Sequence, residues 1–132
     1  GVLKIRIVAA NIKRFKDAQP HFIFSDGLEV TFYDDSGSVK SVLTASHAEI
    51  NDITKIMTAS NNVVLKSEEG NKLESEELIW DERKNRIFTD KRVVITTEKE
   101  VVKGEGFQSN PDFSEYSVTK IQGTFEFDNL TK

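Results

Sequence analysis

The sequence contains the run Leu43-Thr44-Ala45-Ser46-His47-Ala48-Glu49-Ile50, which returns 30 positions later as Leu73-Glu74-Ser75-Glu76-Glu77-Leu78-Ile79-Trp80. A weaker copy, Val102-Lys103-Gly104-Glu105-Gly106-Phe107-Gln108-Ser109, follows after another 29 positions, and Ile5-Arg6-Ile7-Val8-Ala9-Ala10-Asn11-Ile12 resembles an earlier one. The intervening segments repeat as well, since residues 57–65 match residues 87–95 and residues 22–30 form a divergent copy. A fixed period of this kind indicates a fold of stacked units, here with two strand-like halves in each.

The spacing of apolar residues within the first half of each unit predicts a bend in the strand. Leu43, Ala45, Ala48 and Ile50 are separated by steps of two, three and two. A step of two keeps side chains on one face of a strand, whereas a step of three changes the face unless the strand bulges there. A bend at the same place in every copy stacks the halves into two facing sheets, which predicts a curved, jelly-roll-like sandwich.

The remaining local signals also predict an all-β protein. Short alternating segments rich in Val, Ile, Thr and Phe are interrupted by polar turn sequences at residues 34–38, 68–71, 81–85 and 110–112. Residues 75–80 have helical propensity, but the repeat assigns them to a strand.

Length and composition limit the class of protein. We expect one domain over residues 1–132, long enough to bury a core without disulfides, and the chain has no cysteine. The net charge of −4 argues against a nucleic-acid partner, and no apolar run approaches the roughly 20 residues of a membrane span. Because the sequence begins with Gly1 already in strand pattern, we expect a truncated mature domain whose anchor or signal precedes it.

The sequence offers little for catalysis, so we predict a protein that is not an enzyme and uses no metal or cofactor. There are two histidines, His21 and His47, and Ser46 beside His47 points to the opposite strand face. No glycine-rich phosphate loop is present, and nothing singles out a catalytic pair among the 22 acidic residues. No catalytic or metal-binding residue is therefore predicted.

Taken in order, these motifs resemble the OstA/LptA/LptC repeat family, and among its members LptC most closely. The family's L-x-A-x-x-A-x-(aromatic or Ile) strand and following A-x-G-N-V match residues 43–50 and Ala59-Ser60-Asn61-Asn62-Val63. Residues 70–81 match G-x-x-L-x-(small)-x-x-L-x-(aromatic)-D, and residues 102–107 resemble the closing G-x-G-(aromatic or Leu). The resemblance spans residues 28–127; Asn61 departs from the usual Gly, although Asn tolerates a left-handed backbone.

The resemblance implies a twisted, partly open β-jelly-roll, or β-taco, of stacked two-strand repeats. It implies a periplasmic domain, tethered to the inner membrane by a preceding segment, that binds lipopolysaccharide. Such a domain receives the lipid from an inner-membrane ABC transporter and passes it to a periplasmic LptA-like bridge protein through strand-edge pairing. The terminal strands, expected at residues 2–9 and 121–127, would supply those edges and would also permit self-association.

A lipid carrier of this kind needs an apolar groove, because acyl chains must be kept from water. The predicted groove residues are the inward members of the alternating sets: Ile5, Ile7, Phe24, Val30, Phe32, Leu43, Ala45, Ile50, Val63, Leu65, Leu73, Leu78, Trp80, Val93, Ile95, Phe107, Phe125 and Phe127. Any β-sandwich fills its interior with such residues, so pattern alone does not separate groove from core.

Two other features leave their interpretation open. Two basic clusters could pair with phosphates or simply form solvated surface: Lys13, Arg14 and Lys16, and Lys84, Arg86, Lys91 and Arg92. Tyr33 and Tyr116 could serve as platforms in the alternative class, a protein-interaction or carbohydrate-binding β-sandwich scaffold without lipid.

Overall fold

The computed structural model describes residues 4–126, and within them the chain forms ten strands and no helix. The strands are β1 (Lys4–Arg14), β2 (Phe22–Tyr33), β3 (Val39–Ala45), β4 (His47–Asn51), β5 (Ile56–Ser67), β6 (Lys72–Asp81), β7 (Arg86–Thr96), β8 (Glu100–Ser109), β9 (Tyr116–Val118) and β10 (Gly123–Glu126). The predicted all-β class is confirmed, and residues 75–80 lie in β6 as the repeat requires. No helix among residues 4–126 is long and apolar enough to cross a membrane.

The strands form an antiparallel meander in the order β1-β2-β3-β5-β6-β7-β8-β10, with β4 between β2 and β5 and β9 beside β8. Most long strands contribute one half to each of two layers. The first layer contains residues 4–9, 28–33, 63–67, 72–75, 92–96 and 100–105 together with β3 and β10. The second layer contains residues 11–14, 22–25, 56–60, 77–81, 86–89 and 107–109 together with β4 and β9.

The predicted bends lie where the strands pass from one layer to the other. The pairing register shifts between Ser75 and Ile79 of β6, and Ser46 separates β3 from β4. The neighbouring strands bend through left-handed residues, including Asn61 with φ 66° and Gly106 with φ +95°. Asn61 therefore adopts the left-handed conformation that the sequence analysis expected at this position, where the family usually has Gly.

Equivalent positions of successive repeats become neighbours across the sheet. In the first layer, one continuous row pairs Ile7, Val30, Leu43, Leu65, Leu73 and Ile95. In the second layer, a corresponding row pairs Phe22, Ile50, Met57, Trp80 and Ile87. A repeat of nearly constant length produces such rows because each hairpin adds the same number of residues.

The two rows face each other and enclose the core. The Phe32 ring of the first layer meets the Trp80 ring of the second edge to face, with centroids 5.3 Å apart. The segment between β8 and β9 covers one side of the core, since Phe113 is fully buried there and the Ser41 hydroxyl donates a 2.6 Å hydrogen bond to the Pro111 carbonyl. The other side, beside β1, is less well covered.

Candidate functional site

An apolar cavity of about 270 Å³ opens between the two layers beside β1. Its apolar wall consists of Ile5, Ile7, Phe22, Phe24, Ile50, Ile56, Met57 and Trp80, and the partly or fully exposed Asp52, Lys55 and Glu82 border it. A larger surface depression of about 470 Å³ is lined by Asp34, Asp35, Ser36, Asn85, Asn110, Pro111 and Asp112. Six of the seven residues that line that depression are polar, so the cavity beside β1 is the better candidate for an apolar ligand.

Strand register places the wall of this cavity. Phe22, Ile50, Met57 and Trp80 are consecutive cross-strand partners in the second layer and therefore project from the same face. On β1, Ile5 and Ile7 pair with the buried Phe32 and Val30, while the alternate residue Val8 is 51% exposed on the opposite face. Because β1 pairs only with β2 among the described strands, the cavity lies at an edge where no further strand of residues 4–126 covers it.

One residue of the cavity wall, Trp80, carries a buried polar atom that has no partner among residues 4–126. Trp80 is 7% exposed, and its indole Nε1 has no hydrogen-bond acceptor among residues 4–126. Its neighbours in the row, Met57 and Ile87, are apolar, and its contact with Phe32 orients the ring. A buried donor left unpaired is uncommon in folded proteins and calls for a physical explanation.

Charged side chains surround the mouth of the cavity. The Lys55 ammonium lies 2.7 Å from the Asp52 carboxylate and holds the pKa of Asp52 below its ordinary value, with smaller effects from the charges of His21 and Arg14. The Arg14 guanidinium carbon lies 5.6 Å from the centre of the Phe22 ring, which is itself part of the wall. Arg14 therefore holds a positive charge beside the apolar opening.

The edge strand beside the cavity is strongly basic. Residues 4–16 contain Lys4, Arg6, Lys13, Arg14 and Lys16 and no carboxylate, although the whole chain carries a net charge of −4. All five of these cationic residues are exposed. The first basic cluster predicted from the sequence is thus part of a longer basic edge.

The second predicted basic cluster is not a single group in the structure. Lys84 and Arg86 lie at the turn before β7 and at its start, whereas Lys91 and Arg92 lie at its bend. The five steps from residue 86 to residue 91 correspond to about 16 Å along an extended strand, so the two pairs of charges are separate. Sequence proximity suggested one cluster, but an extended strand separates side chains that are close in sequence.

The predicted groove residues fall into three groups. Thirteen are buried in the core: Phe24, Val30, Phe32, Leu43, Ala45, Val63, Leu65, Leu73, Leu78, Trp80, Val93, Ile95 and Phe107. Ile7 and Ile50 pack against that core, and Ile5 is 37% exposed at the cavity mouth. Phe125 differs from its expected inward position, since it is 52% exposed on the terminal strand β10, and Phe127 lies outside the described residues.

Five of the predicted residues, Ile5, Ile7, Phe24, Ile50 and Trp80, line the cavity. Sequence reasoning missed three others, Phe22, Ile56 and Met57. The signal for Phe22 was its alternation with Phe24, and Met57 begins the second half of a repeat unit that matches Ile87. Ile56 has no such signal, because it adjoins a turn and its position depends on how the layers meet.

The middle of the interior is closed in this structure. Val30, Leu43, Leu65, Leu73 and Ile95 are each no more than 1% exposed. The first-layer row is therefore packed against the opposite layer rather than open to solvent, whereas the cavity beside β1 is open. A ligand longer than the cavity would have to displace this packing.

His47 and Tyr116, which were considered for other classes of function, have local partners. His47 Nε2 lies 3.2 Å from Glu49 on β4, and no group of three or more metal-ligating side chains occurs in residues 4–126. Tyr116 stacks on Phe107 and meets Phe113 edge to face, with ring centroids 6.1 and 5.1 Å apart. Tyr116 thus packs one part of its ring against its own chain and stays 37% exposed.

The two predicted terminal edges are the ends of the sheet. β1 is outermost at one end, and its described part runs from Lys4 to Arg14; at the other end, β10 borders the first layer and β9 the second. Residues 2 and 3 of the predicted first strand and residue 127 of the predicted last one lie outside the described part of the chain. The last strand begins at Gly123 rather than Ile121.

Comparisons with known proteins agree with this architecture. The model of a family described as lipopolysaccharide-assembly, LptC-related, matches residues 1–120. Among curated proteins compared by sequence, none matches. The crystal structure of LptH, the LptA homologous periplasmic component of the conserved lipopolysaccharide transport device from Pseudomonas aeruginosa, is similar with a TM-score of 0.64. That likeness covers 91% of this chain and 85% of LptH at 14% identity, so it shows a shared fold.

Proposed function

This chain belongs to the LptC-related family of lipopolysaccharide assembly, and from that premise we propose that it binds the acyl part of lipopolysaccharide in the cavity beside β1. The observation that carries the proposal is the combination of an apolar opening with a basic edge strand. An amphiphile with apolar chains and anionic phosphates is complementary to both features. The role is carriage of a lipid, which needs no bond-making residues, so no catalytic activity is proposed.

Energetics support an apolar occupant. Each methylene removed from water contributes about 0.8 kcal/mol, and the cavity presents eight apolar side chains with only three charged ones at its border. Its volume of about 270 Å³ lies just below the roughly 300–1,000 Å³ of pockets that enclose a whole drug-sized ligand. We therefore propose that one acyl chain, or part of one, enters first, while the head group stays at the basic edge.

Full binding then requires the layers to separate along the row from Val30 to Ile95. These side chains contact one another across strands and would exchange packing with the opposite layer for packing against lipid. Because both environments are apolar, the exchange costs far less than exposing the same row to water. Movement of acyl chains along this row is the proposed route of transfer.

The partners follow from the two ends of the sheet. We propose that each end of the sheet, β1 and the β9–β10 end, pairs with a partner protein by strand addition. One end would pair with the inner-membrane ABC transporter and the other with a periplasmic LptA-like bridge protein. Strand addition would extend the first-layer row into the partner without a gap. The proposed location is the periplasm, with a tether to the inner membrane from a preceding segment, and the same edges would permit self-association.

Photo-crosslinking tests the lipid site. A photo-reactive residue is introduced separately at Ile5, Ile56 and Val8, and each folded variant is exposed to purified lipopolysaccharide. Ile5 and Ile56 line the cavity, whereas Val8 lies on the same strand as Ile5 but on its outer face. We expect crosslinks at Ile5 and Ile56 and little at Val8.

Equal labelling at Val8, or none at the cavity positions, would contradict the proposal. Competition separates the carbohydrate alternative from lipid binding. De-acylated lipopolysaccharide should reduce crosslinking at Ile5 much less than intact lipopolysaccharide if acyl chains are bound, whereas equal competition by the two would favour a carbohydrate-binding scaffold.

A further inference from the structure

We propose that residues 110–113 form a strap that closes the interior between the two layers, and that acyl chains pass from the cavity beside β1 to the β9–β10 end only when this strap is lifted. The inference rests on the proposed function and adds a gate to it. Its basis is a segment that leaves the second layer, is bonded to the first layer and buries an aromatic side chain between them.

The strap joins the two layers. It follows residues 107–109 of β8, which belong to the second layer, and its Pro111 carbonyl accepts a 2.6 Å hydrogen bond from the hydroxyl of Ser41. Ser41 lies on β3 in the first layer and is 0% exposed. The polar depression of about 470 Å³ is lined by the strap together with Asp34, in the turn after β2, and Asn85, in the turn before β7. The strap therefore lies where the outer ends of the two layers approach each other.

The strap also places an aromatic ring in the interior. Phe113 is 0% exposed, and its ring meets those of Phe107 and Tyr116 edge to face, with centroids 5.5 and 5.1 Å apart. Because these two partners lie on β8 and β9, Phe113 fills the interior towards the end of the sheet opposite to β1. A ligand shifts such a segment only if it binds the open state more tightly than the closed one. An acyl chain meets this condition because it would occupy the apolar space that the Phe113 ring fills.

Two features of the closed strap favour its release. Phe113 has φ 63°, a left-handed conformation that is costly for a residue with a Cβ, and the cost is removed when the segment leaves. The Ser109 hydroxyl is buried just before the strap without a hydrogen-bond partner among residues 4–126, and opening would let it bond to water. The Asn110 side chain bonds to the Glu115 amide and the Ser114 hydroxyl, and these local bonds would keep the segment compact while it moves.

A reversible lock on the strap tests the inference, and the chain suits it because it has no cysteine. Asp112→Cys in the strap and Asp35→Cys in the turn after β2 place thiols around the same surface depression, where a short bis(methanethiosulfonate) joins them and dithiothreitol releases them. The matched control, Asp35→Cys with Glu69→Cys, takes the same reagent. It joins two turns of the first layer and leaves the strap free.

Labelling by lipopolysaccharide on each side of the strap is the measurement. Each protein carries a photo-reactive residue either at Ile56, in the cavity, or at Val102, the β8 partner of Ile95 in the first-layer row. We expect the locked strap to leave labelling at Ile56 unchanged and to reduce labelling at Val102 to background. Dithiothreitol should restore the labelling at Val102, and the control lock should not reduce it.

The two positions separate the two proposals. Equal labelling of Val102 with the strap locked and released, or none in either state, would overturn the strap as a gate, and labelling at Ile56 would leave the lipid site standing. Absence of labelling at Ile56 in both states would instead refute the proposed function. Because the locked and released states are the same protein, a difference between them does not depend on how the substitutions affect folding.

Discussion

Replacement of Leu73 by alanine is expected to destabilise the protein by about 3–4 kcal/mol. Leu73 is 0% exposed and lies between Leu65 and Ile95 in the first-layer row. The substitution removes three carbons, or about 2.4 kcal/mol of transfer free energy, and two flanking strands that cannot close the gap leave a cavity that adds about 1 kcal/mol. The matched control is Val8→Ala on the half-exposed outer face of β1, which should cost under about 1 kcal/mol.

Urea unfolding followed by tryptophan fluorescence measures both variants. The free energy of unfolding should fall by about 1.5–2 kcal/mol per molar urea. The unfolding midpoint should therefore fall by about 2 M for Leu73→Ala and by less than about 0.6 M for Val8→Ala. A loss below about 1 kcal/mol for Leu73→Ala would refute the reasoning. It would mean that the middle of the interior is loosely packed or hydrated without lipid, and that the groove is already open.

Two further predictions concern the backbone and a turn. Gly106→Ala should destabilise the protein by about 2–3 kcal/mol, since Gly106 has φ +95° and an added Cβ would collide with the Thr119 hydroxyl. The control Gly70→Ala, with φ +98° and open space around it, should cost about 1 kcal/mol. Similar losses for the two variants in urea unfolding would show that the collision is unimportant. Asp34→Asn should lower the melting temperature near pH 6 but much less near pH 2, because hydrogen bonds from Ser36 and Ser38 lower the pKa of Asp34 from 3.8 to about 2. The folded chain favours the ionised carboxyl, so its contribution is present above about pH 4 and is lost as the pH falls towards 2; equal effects at both pH values would contradict this.

The closed interior bears on the proposed binding of lipid. If Leu73→Ala is strongly destabilising, acyl chains enter by replacing packed side chains, and loading is coupled to separation of the layers. Under the proposed function, that separation would begin at the cavity beside β1, because β1 pairs only with β2 among the described strands. We expect lipid binding to slow the hydrogen exchange of backbone amides more at the cavity mouth than along the first-layer row, because the row is already buried.

The sequence by itself determined the architecture, because the fold is a repetition of local pattern. The return of residues 43–50 at residues 73–80 predicted the in-register row through Leu43 and Leu73, and the step of three positions between apolar residues placed the bend. The bounds of the terminal strands differ from the prediction, since β1 continues to Arg14 and β10 begins at Gly123. Such features depend on strand period and turn chemistry, which act over a few residues. Most of the buried core could be predicted for the same reason.

Only the tertiary structure decided which inward residues are closed core and which border an opening. Leu73 and Ile5 follow the same alternation, yet one is sealed and the other is 37% exposed, because β1 is an edge strand and the β8–β9 segment covers the opposite side. The unpaired Trp80 donor and the charge of Arg14 beside Phe22 depend likewise on contacts between residues distant in sequence. Alternation specifies the face of a strand, but exposure depends on what the rest of the chain places over that face.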